Sequence, residues 1–267
     1  MFRNLTVTYT VGRLKKPRVL FISLLLSAVG TLLSACFQNE SSEIMLSFQV
    51  KFNGEVSDCL PDGIDTLSFY LADPKANETT KVVFAGEGVN PRVALIRFNP
   101  CGDEEGPKVA MRLSSPSTDS LELLLGVPFD LNHLNPVTQA APLNVGSMFW
   151  TWRLGYKFLR LDMDGWSFHL GSGGCRSPSA VRPPEEPCEY PNLPMLDVPI
   201  PGEQAITLIL DLDALLFEQD LKAADSCMDG LYQSPLCSAL IKRMGLSEDG
   251  TCVLGCRDQV VVRSETL

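Results

Sequence analysis

Apolar and polar residues alternate through Leu46, Phe48, Val50 and Phe52, the period of a strand with one buried face, and the run stops at Asn53-Gly54, a turn signal. Leu67-Phe69-Leu71 and Val82-Val83-Phe84 repeat the strand signal, separated by Asp73-Pro74 and a polar loop, and Val93 to Phe98 and Val109 to Leu113 continue it. Short strands at this spacing, with little helical periodicity before residue 200, predict a mainly β chain folded as an antiparallel β-sandwich. Met148 to Asp162 predicts one long strand bent at Gly155, with Asp164-Gly165 as a tight turn and Trp166 to Leu170 as its return. Residues two apart share a strand face, so Trp150 and Trp152 are expected on one side. His169 faces away from Phe168, and the pattern leaves open which of them meets the core. Arg176 to Pro194 carries six prolines and cannot be regular structure. Ile206 to Leu212 returns as a strand. Asp213 to Leu221 and Pro235 to Met244 predict short helices, the second capped by Ser234, so the sandwich should end in a small C-terminal helical appendix.

The N-terminus follows another pattern. Arg13, Lys15, Lys16 and Arg18 precede an apolar run, Val19 to Leu33, that is short for a membrane span, and Leu33-Ser34-Ala35-Cys36 follows it. The tetrapeptide resembles a bacterial lipobox, which implies a signal peptide over 1–35, acylation of Cys36 and a polar tether over 36–43. The folded domain is then 44–267. Phe37 stands where Asp is associated with inner-membrane retention, which points to an outer-membrane lipoprotein of the cell envelope, held to the membrane by its lipid anchor only.

Export sharpens the charge and the cysteines. The leader holds five cations (Arg3, Arg13, Lys15, Lys16, Arg18) and no acid, so its removal takes the formal charge from −10 to −15. Such a surface repels phosphate backbones, which argues against nucleic acid, and draws cations. Apart from Cys36, eight cysteines remain: Cys59, Cys101, Cys175, Cys188, Cys227, Cys237, Cys252 and Cys256. An even count in an oxidising compartment predicts four disulfides, with the pairing open. Zinc is the competing reading, but the spacings offer no pair of CxxC knuckles. Bridges from Cys59 to Cys101, Cys175 to Cys188 and Cys227 to Cys237 would close the sandwich, the proline-rich loop and the appendix, and Cys252 and Cys256 could close a terminal loop.

The chain has two histidines, His133 and His169, and three tryptophans, Trp150, Trp152 and Trp166, all between Leu124 and Cys175. Two neutral imidazoles form a good donor set for copper, whose monovalent ion accepts two-coordinate histidine ligation. The bland alternative makes His133 a loop residue and His169 an ordinary strand residue. Asn132 and Ser172 are candidate partners for the second ring nitrogen of each ligand, and Tyr156 and Phe158 a low-dielectric wall, although packing explains aromatic residues equally well. Asp162-Met-Asp164-Gly165 lacks the ligands of a calcium loop and reads as a turn. Gly171 to Gly174 has no helix after it and is no nucleotide fingerprint. A blue-copper centre would need a free thiolate, which the even cysteine count does not supply.

LGVPFDLNHLNP (Leu125 to Pro136), APLN (Ala141 to Asn144), MFWTWRLGYKFLRLD (Met148 to Asp162) and GWSFHLGSGGC (Gly165 to Cys175) closely resemble the MbnP-like family of secreted copper-binding proteins, also called four-cysteine-motif metallo-mystery pair proteins. CEYPNLP (Cys188 to Pro194), Asp211-Leu212-Asp213 and CMDGLYQSPLC (Cys227 to Cys237) extend the resemblance over the mature chain. The resemblance implies a β-rich fold and one copper ion per chain held by two histidines, here His133 and His169. It also implies that a tryptophan of the Trp-x-Trp motif, Trp150 or Trp152, is oxidised to kynurenine by a MauG-like di-haem cytochrome c peroxidase. The four family cysteines map onto Cys59, Cys101, Cys175 and Cys188, with Cys252 and Cys256 additional, and Gly173 stands where the family often has Thr. The expected role is copper acquisition or homeostasis, and the chain is not expected to be an enzyme. A structural or adhesive surface sandwich that binds no metal is the alternative from another class.

Overall fold

The computed structural model describes residues 41–265, apart from 87–88, 103–104, 116–117, 180, 201, 203–204, 218, 222–223, 229, 253–258 and 260. The expected signal peptide over 1–35 and the expected lipid-bearing Cys36 therefore lie outside the described residues, as does Cys256. The strands in chain order are β1 (Ser42–Phe52), β2 (Glu55–Ser57), β3 (Ile64–Lys75), β4 (Val82–Ala85), β5 (Val93–Arg97), β6 (Lys108–Leu113) and β7 (Ser120–Leu125). They continue as β8 (Phe149–Thr151), β9 (Gly155–Tyr156), β10 (Leu159–Met163), β11 (Trp166–Leu170), β12 (Met195–Pro199), β13 (Ala205–Asp211) and β14 (Val262–Glu265). Three short helices, α1 (Phe129–Asn132), α2 (Leu212–Leu215) and α3 (Pro235–Arg243), complete the regular elements used below.

One sheet runs β14-β13-β1-β6-β4 with β2 added to β1, and the other runs β11-β10-β3-β7-β12 with β5 added to β3. Alternation drives their packing. Ile44, Leu46, Phe48 and Val50 turn inward from β1, Leu67, Phe69 and Leu71 from β3, and the Phe48 and Phe69 rings meet edge to face with centroids 5.8 Å apart. The sandwich is antiparallel save for one pair: β1 and β13 run parallel, with Leu46 opposite Ile206 and Lys51 opposite Asp211. Turn chemistry holds where the sequence placed it, since Asn53 and Gly54 take φ of 53° and 81° and Ser234 Oγ accepts from the Cys237 amide at 3.2 Å to cap α3.

Three expectations change. The strand expected over Met148 to Asp162 is three pieces, β8, β9 and β10, because Gly155 takes φ of +77° and the Thr151 hydroxyl accepts from the Leu154 amide in a turn that folds β8 back on β9. The helix expected over Asp213 to Leu221 closes after one turn at Leu215. Beyond the strands anticipated, β2, β7, β12 and β14 are also formed. Three disulfides join Cys59 to Cys101, Cys175 to Cys188 and Cys227 to Cys237, and Cys252 is bridged as well.

Registration decides which face carries the histidine. Leu161 pairs with Leu67 and Phe168, and Leu159 with Phe69 and Leu170, so this set faces the core. The alternate set is Arg97, Ser68, Arg160 and His169, lined up across β5, β3, β10 and β11 on the outer face. Ser68 and His169 are nevertheless buried. The chain leaving β7 runs back over this face, where Lys157 and Arg160 reach the Ser147 carbonyl and the Trp150 ring lies over His169.

Candidate metal centre

His133 arrives on α1, immediately after β7. Gly126 makes that exit possible: at φ of +135°, a Cβ there would sit 2.5 Å from Leu193 and 2.8 Å from Phe158. Arg92 then fixes α1 to the bulged end of β3, donating to Asp130 at 2.6 Å and to Asp73 at 2.8 Å, and the guanidinium holds the Asp130 carboxyl below the usual range. His169 arrives on β11, an edge strand covered by the segment around Cys227, with the His169 amide donating to the Cys227 carbonyl at 2.8 Å.

Hydrogen bonds set the tautomer of each ring. His133 Nδ1 lies 3.1 Å from the Trp152 carbonyl, which can only accept, so Nδ1 carries the proton and Nε2 the lone pair. His169 Nε2 lies 2.6 Å from Asp162 Oδ1, so the proton is on Nε2 and the lone pair on Nδ1. His169 Nδ1 is buried and has no hydrogen-bond partner, one of three such side-chain atoms among the described residues. An acceptor nitrogen buried without a donor is costly unless something occupies it. The chemistry of each ring suits a soft metal ion: each offers a lone pair on an imidazole whose other nitrogen is bound to an oxygen acceptor.

Burial lowers the pKa of both rings, against a weaker opposing effect of the Trp152 carbonyl on His133 and of Asp162 on His169, while Lys157 and Arg160 lower His169 further. The Asp162 carboxyl is raised by its own burial but ends below its usual range, because hydrogen bonds from His169 and Ser167 and the charge of Arg160 outweigh that burial. The unfolded chain therefore takes up protons on the two imidazoles near pH 6.5, where the folded chain does not. Metal-free stability is expected to be full above about pH 7 and to fall as the pH drops through the lowered values, a decline visible in urea midpoints measured at about pH 7.5 and about pH 5.5.

Asn132 braces the His133 side of the site. Its Oδ1 accepts from the Tyr156 amide at 2.7 Å, and its Nδ2 donates to Ser172 Oγ at 3.1 Å and to His133 Nε2 at 3.3 Å, a bond an ion at His133 would replace. Gly155 is required beside it, since a Cβ there would lie 2.4 Å from Asn132 Oδ1. Gly155→Ala, combining positive φ with that overlap, is expected to lower stability by roughly 2 kcal/mol in urea unfolding.

The expected residues are thus placed with two changes. Trp150 and Trp152 do not share a strand face: Trp150 lies in β8 with its ring centroid 6.2 Å from that of His169, whereas Trp152 sits in the following turn and meets His133 through its carbonyl. Ser172 bonds Asn132 rather than His169, and the partner of His169 is Asp162, at the expected junction of strand and turn. Tyr156, Phe158 and Trp166 are buried core residues, with Trp166 Nε1 donating to the Asp225 carbonyl at 3.3 Å. Cys175, Cys188 and His133 place three potential ligand atoms within 4.8 Å of one another, but the cysteines are bridged and offer no thiolate in this state. At Gly173 a Cβ would lie 1.9 Å from the Gly230 carbonyl, so the segment after Cys227 occupies the space a threonine would need.

Residues 41–229 match the family model MbnP. Among solved structures the chain is similar to MbnP from Methylosinus trichosporium, at 17% identity and a TM-score of 0.67, covering 85% of this chain and 100% of that one. At that identity the likeness carries the fold alone. No curated protein sequence matches the chain.

Proposed function

We propose that this chain, which belongs to the MbnP family, is a copper-handling protein that holds one copper ion through His133 Nε2 and His169 Nδ1. The observation that carries the reading is the buried, unpartnered lone pair of His169 Nδ1 beside a proton locked on Nε2. The bound ion would supply a soft, redox-active centre. The chain's own residues do the rest: the Trp152 carbonyl and Asp162 orient the rings, and Asn132 braces His133. Trp150 is the tryptophan we assign to oxidation by a MauG-like di-haem peroxidase, because its ring neighbours a ligand, and the kynurenine carbonyl and amine would supply polar atoms that an indole lacks. In this reading the protein is a Cys36-anchored lipoprotein of the outer membrane that serves copper acquisition or homeostasis without being an enzyme.

Titration of the oxidised, exported chain with Cu(I) against a chromophoric chelator is expected to give one ion per chain with nitrogen scatterers in X-ray absorption. Failure of the intact chain to bind copper would overturn the reading. Peptide mapping of protein from its native host is expected to find two oxygens gained and one carbon lost at Trp150.

Asp162 is a positioning residue. Asp162→Ala removes the acceptor that holds the proton on His169 Nε2, and copper affinity is expected to fall about 10- to 100-fold. Asp162→Asn keeps an oxygen acceptor and should recover most of that loss, a rescue that a purely structural carboxylate would not show.

A further inference from the structure

The tautomer of His133 aims its lone pair at a disulfide. Cys188 Sγ lies 3.6 Å from His133 Nε2, and with Cys175 Sγ the three atoms fall within 4.8 Å of one another. They are the one such cluster among the described residues. We propose that the Cys175–Cys188 bridge gates a second metal site: on reduction, the two thiolates and His133 Nε2 become a three-donor centre for a soft monovalent ion, Cu(I).

The dimensions suit it. Bonds of about 2.0–2.3 Å from one ion place ligand atoms roughly 3.5–4 Å apart; Cys188 Sγ and His133 Nε2 already stand at 3.6 Å, and the two sulfurs, 2.05 Å apart in the bridge, separate to that distance once it opens, while thiolates prefer Cu(I) over harder cations. The geometry also survives opening of the bridge. Gly173 and Tyr190, each two residues from one of the cysteines, exchange backbone hydrogen bonds of 2.9 and 3.0 Å. Asn192 Nδ2 further ties the returning chain to the Gly171 and Gly230 carbonyls at 2.8 and 3.0 Å. Neither thiol therefore depends on the bridge alone for its place.

The electrons come from a dithiol, such as a thiol–disulfide oxidoreductase of the exported compartment. Its thiolate attacks Sγ of Cys175, the less buried residue of the pair, and breaks the S–S bond, and Cys188 leaves as a thiolate beside His133. Its second thiol then displaces Cys175 and closes the dithiol's own disulfide. Two electrons pass to the bridge, and the two protons of the dithiol go to the two cysteines, to be released when the ion binds.

The inference shares His133 with the copper reading above but does not use His169, so the two can fail separately. Protein reduced with a phosphine and desalted without oxygen is titrated with Cu(I) against bicinchoninate and examined by X-ray absorption. Reduced wild type is expected to bind on the order of 100-fold or more tightly than the oxidised form, with sulfur scatterers. Reduced His169→Ala should keep both properties, whereas oxidised His169→Ala should lose copper. Reduced Cys175→Ala/Cys188→Ala should show neither tighter binding nor sulfur from this site. Wild type with Cys175 and Cys188 alkylated, their modification confirmed by mapping, gives the same comparison should that variant not fold. Absence of sulfur in the reduced wild type, or equal binding after either blockade, overturns the proposal. Sulfur-ligated copper in reduced His169→Ala, with none held by the oxidised wild type, would sink the two-histidine reading and leave this one standing.

Discussion

With His133 and His169 both changed to alanine, the oxidised chain is expected to go from one bound copper ion to none while its circular dichroism stays that of the wild type. Loss without unfolding follows from where the rings sit. His169 lies on the outer face of its sheet, registered with Arg160 and Ser68, whereas the core is packed by the alternate residues Leu161 and Phe168. Truncating the imidazole removes no contact between the sheets. Single variants should differ in what they leave behind. His169→Ala exposes the half-buried Asp162 carboxylate to Arg160 alone, its remaining ion-pair partner at 2.7 Å, and so should tolerate the change. His133→Ala frees the Trp152 carbonyl in a turn and one hydrogen of Asn132 Nδ2, which keeps its bond to Ser172. In both singles copper affinity should collapse, because the remaining imidazole is one donor where a two-coordinate ion needs two. Copper retained at full occupancy by the double variant of the oxidised chain would mean that the ion sits elsewhere.

How far the site was legible depends on how local its determinants are. The strand alternation of Leu46, Phe48 and Val50 is visible because one face of β1 meets the core, and the same signal existed unread in β7, where Leu121, Leu123 and Leu125 point inward. Asp162 was also within reach. A two-residue turn at Asp164-Gly165 puts Met163 opposite Trp166 and hence Arg160 opposite His169, which leaves Asp162 two residues away on the face of His169. Reading Asp162 as part of the turn hid that step. The break in the Met148 to Asp162 run had one local sign, Gly155, which predicts a bend but not a full break into three pieces. It depends on Gly155 giving way to the side chain of Asn132, a residue on α1, and on Trp150 filling the space above Gly171, where a Cβ would lie 2.4 Å from the indole. Contacts of that kind belong to the folded chain and leave no period in the sequence.

The second large effect lies away from the metal centre. Asp211 ends β13 with its side chain buried, and the same carboxylate does three things: Oδ1 caps α2 by accepting from the Ala214 amide at 2.9 Å, and Oδ2 accepts from Arg263 of β14 and from Lys51 of β1 at 3.5 Å. It therefore joins the parallel pair β1–β13 to the antiparallel pair β13–β14. Two residues on, Asp213 accepts from the Asn53 and Gly54 amides at 2.6 and 2.8 Å and holds the turn after β1. Asp211→Ala loses a helix cap, about 1 kcal/mol, and charge-assisted hydrogen bonds of about 1.5–3 kcal/mol. The full penalty of a stranded buried charge, about 3–5 kcal/mol, does not apply, since the Lys51 and Arg263 side chains are 34% and 58% exposed and can turn to water. The expected loss is about 3 kcal/mol, a fall of about 1 M in the urea midpoint. Asp211→Asn keeps the oxygen that caps α2 and gives up the charge, so it should cost roughly half as much. If the two variants were equal, the ion pairs rather than the cap would carry the stabilisation. Neither should change copper affinity, because no hydrogen bond in this network reaches the histidines, and a shared loss of stability and copper would show that the two ends of the sandwich unfold as one.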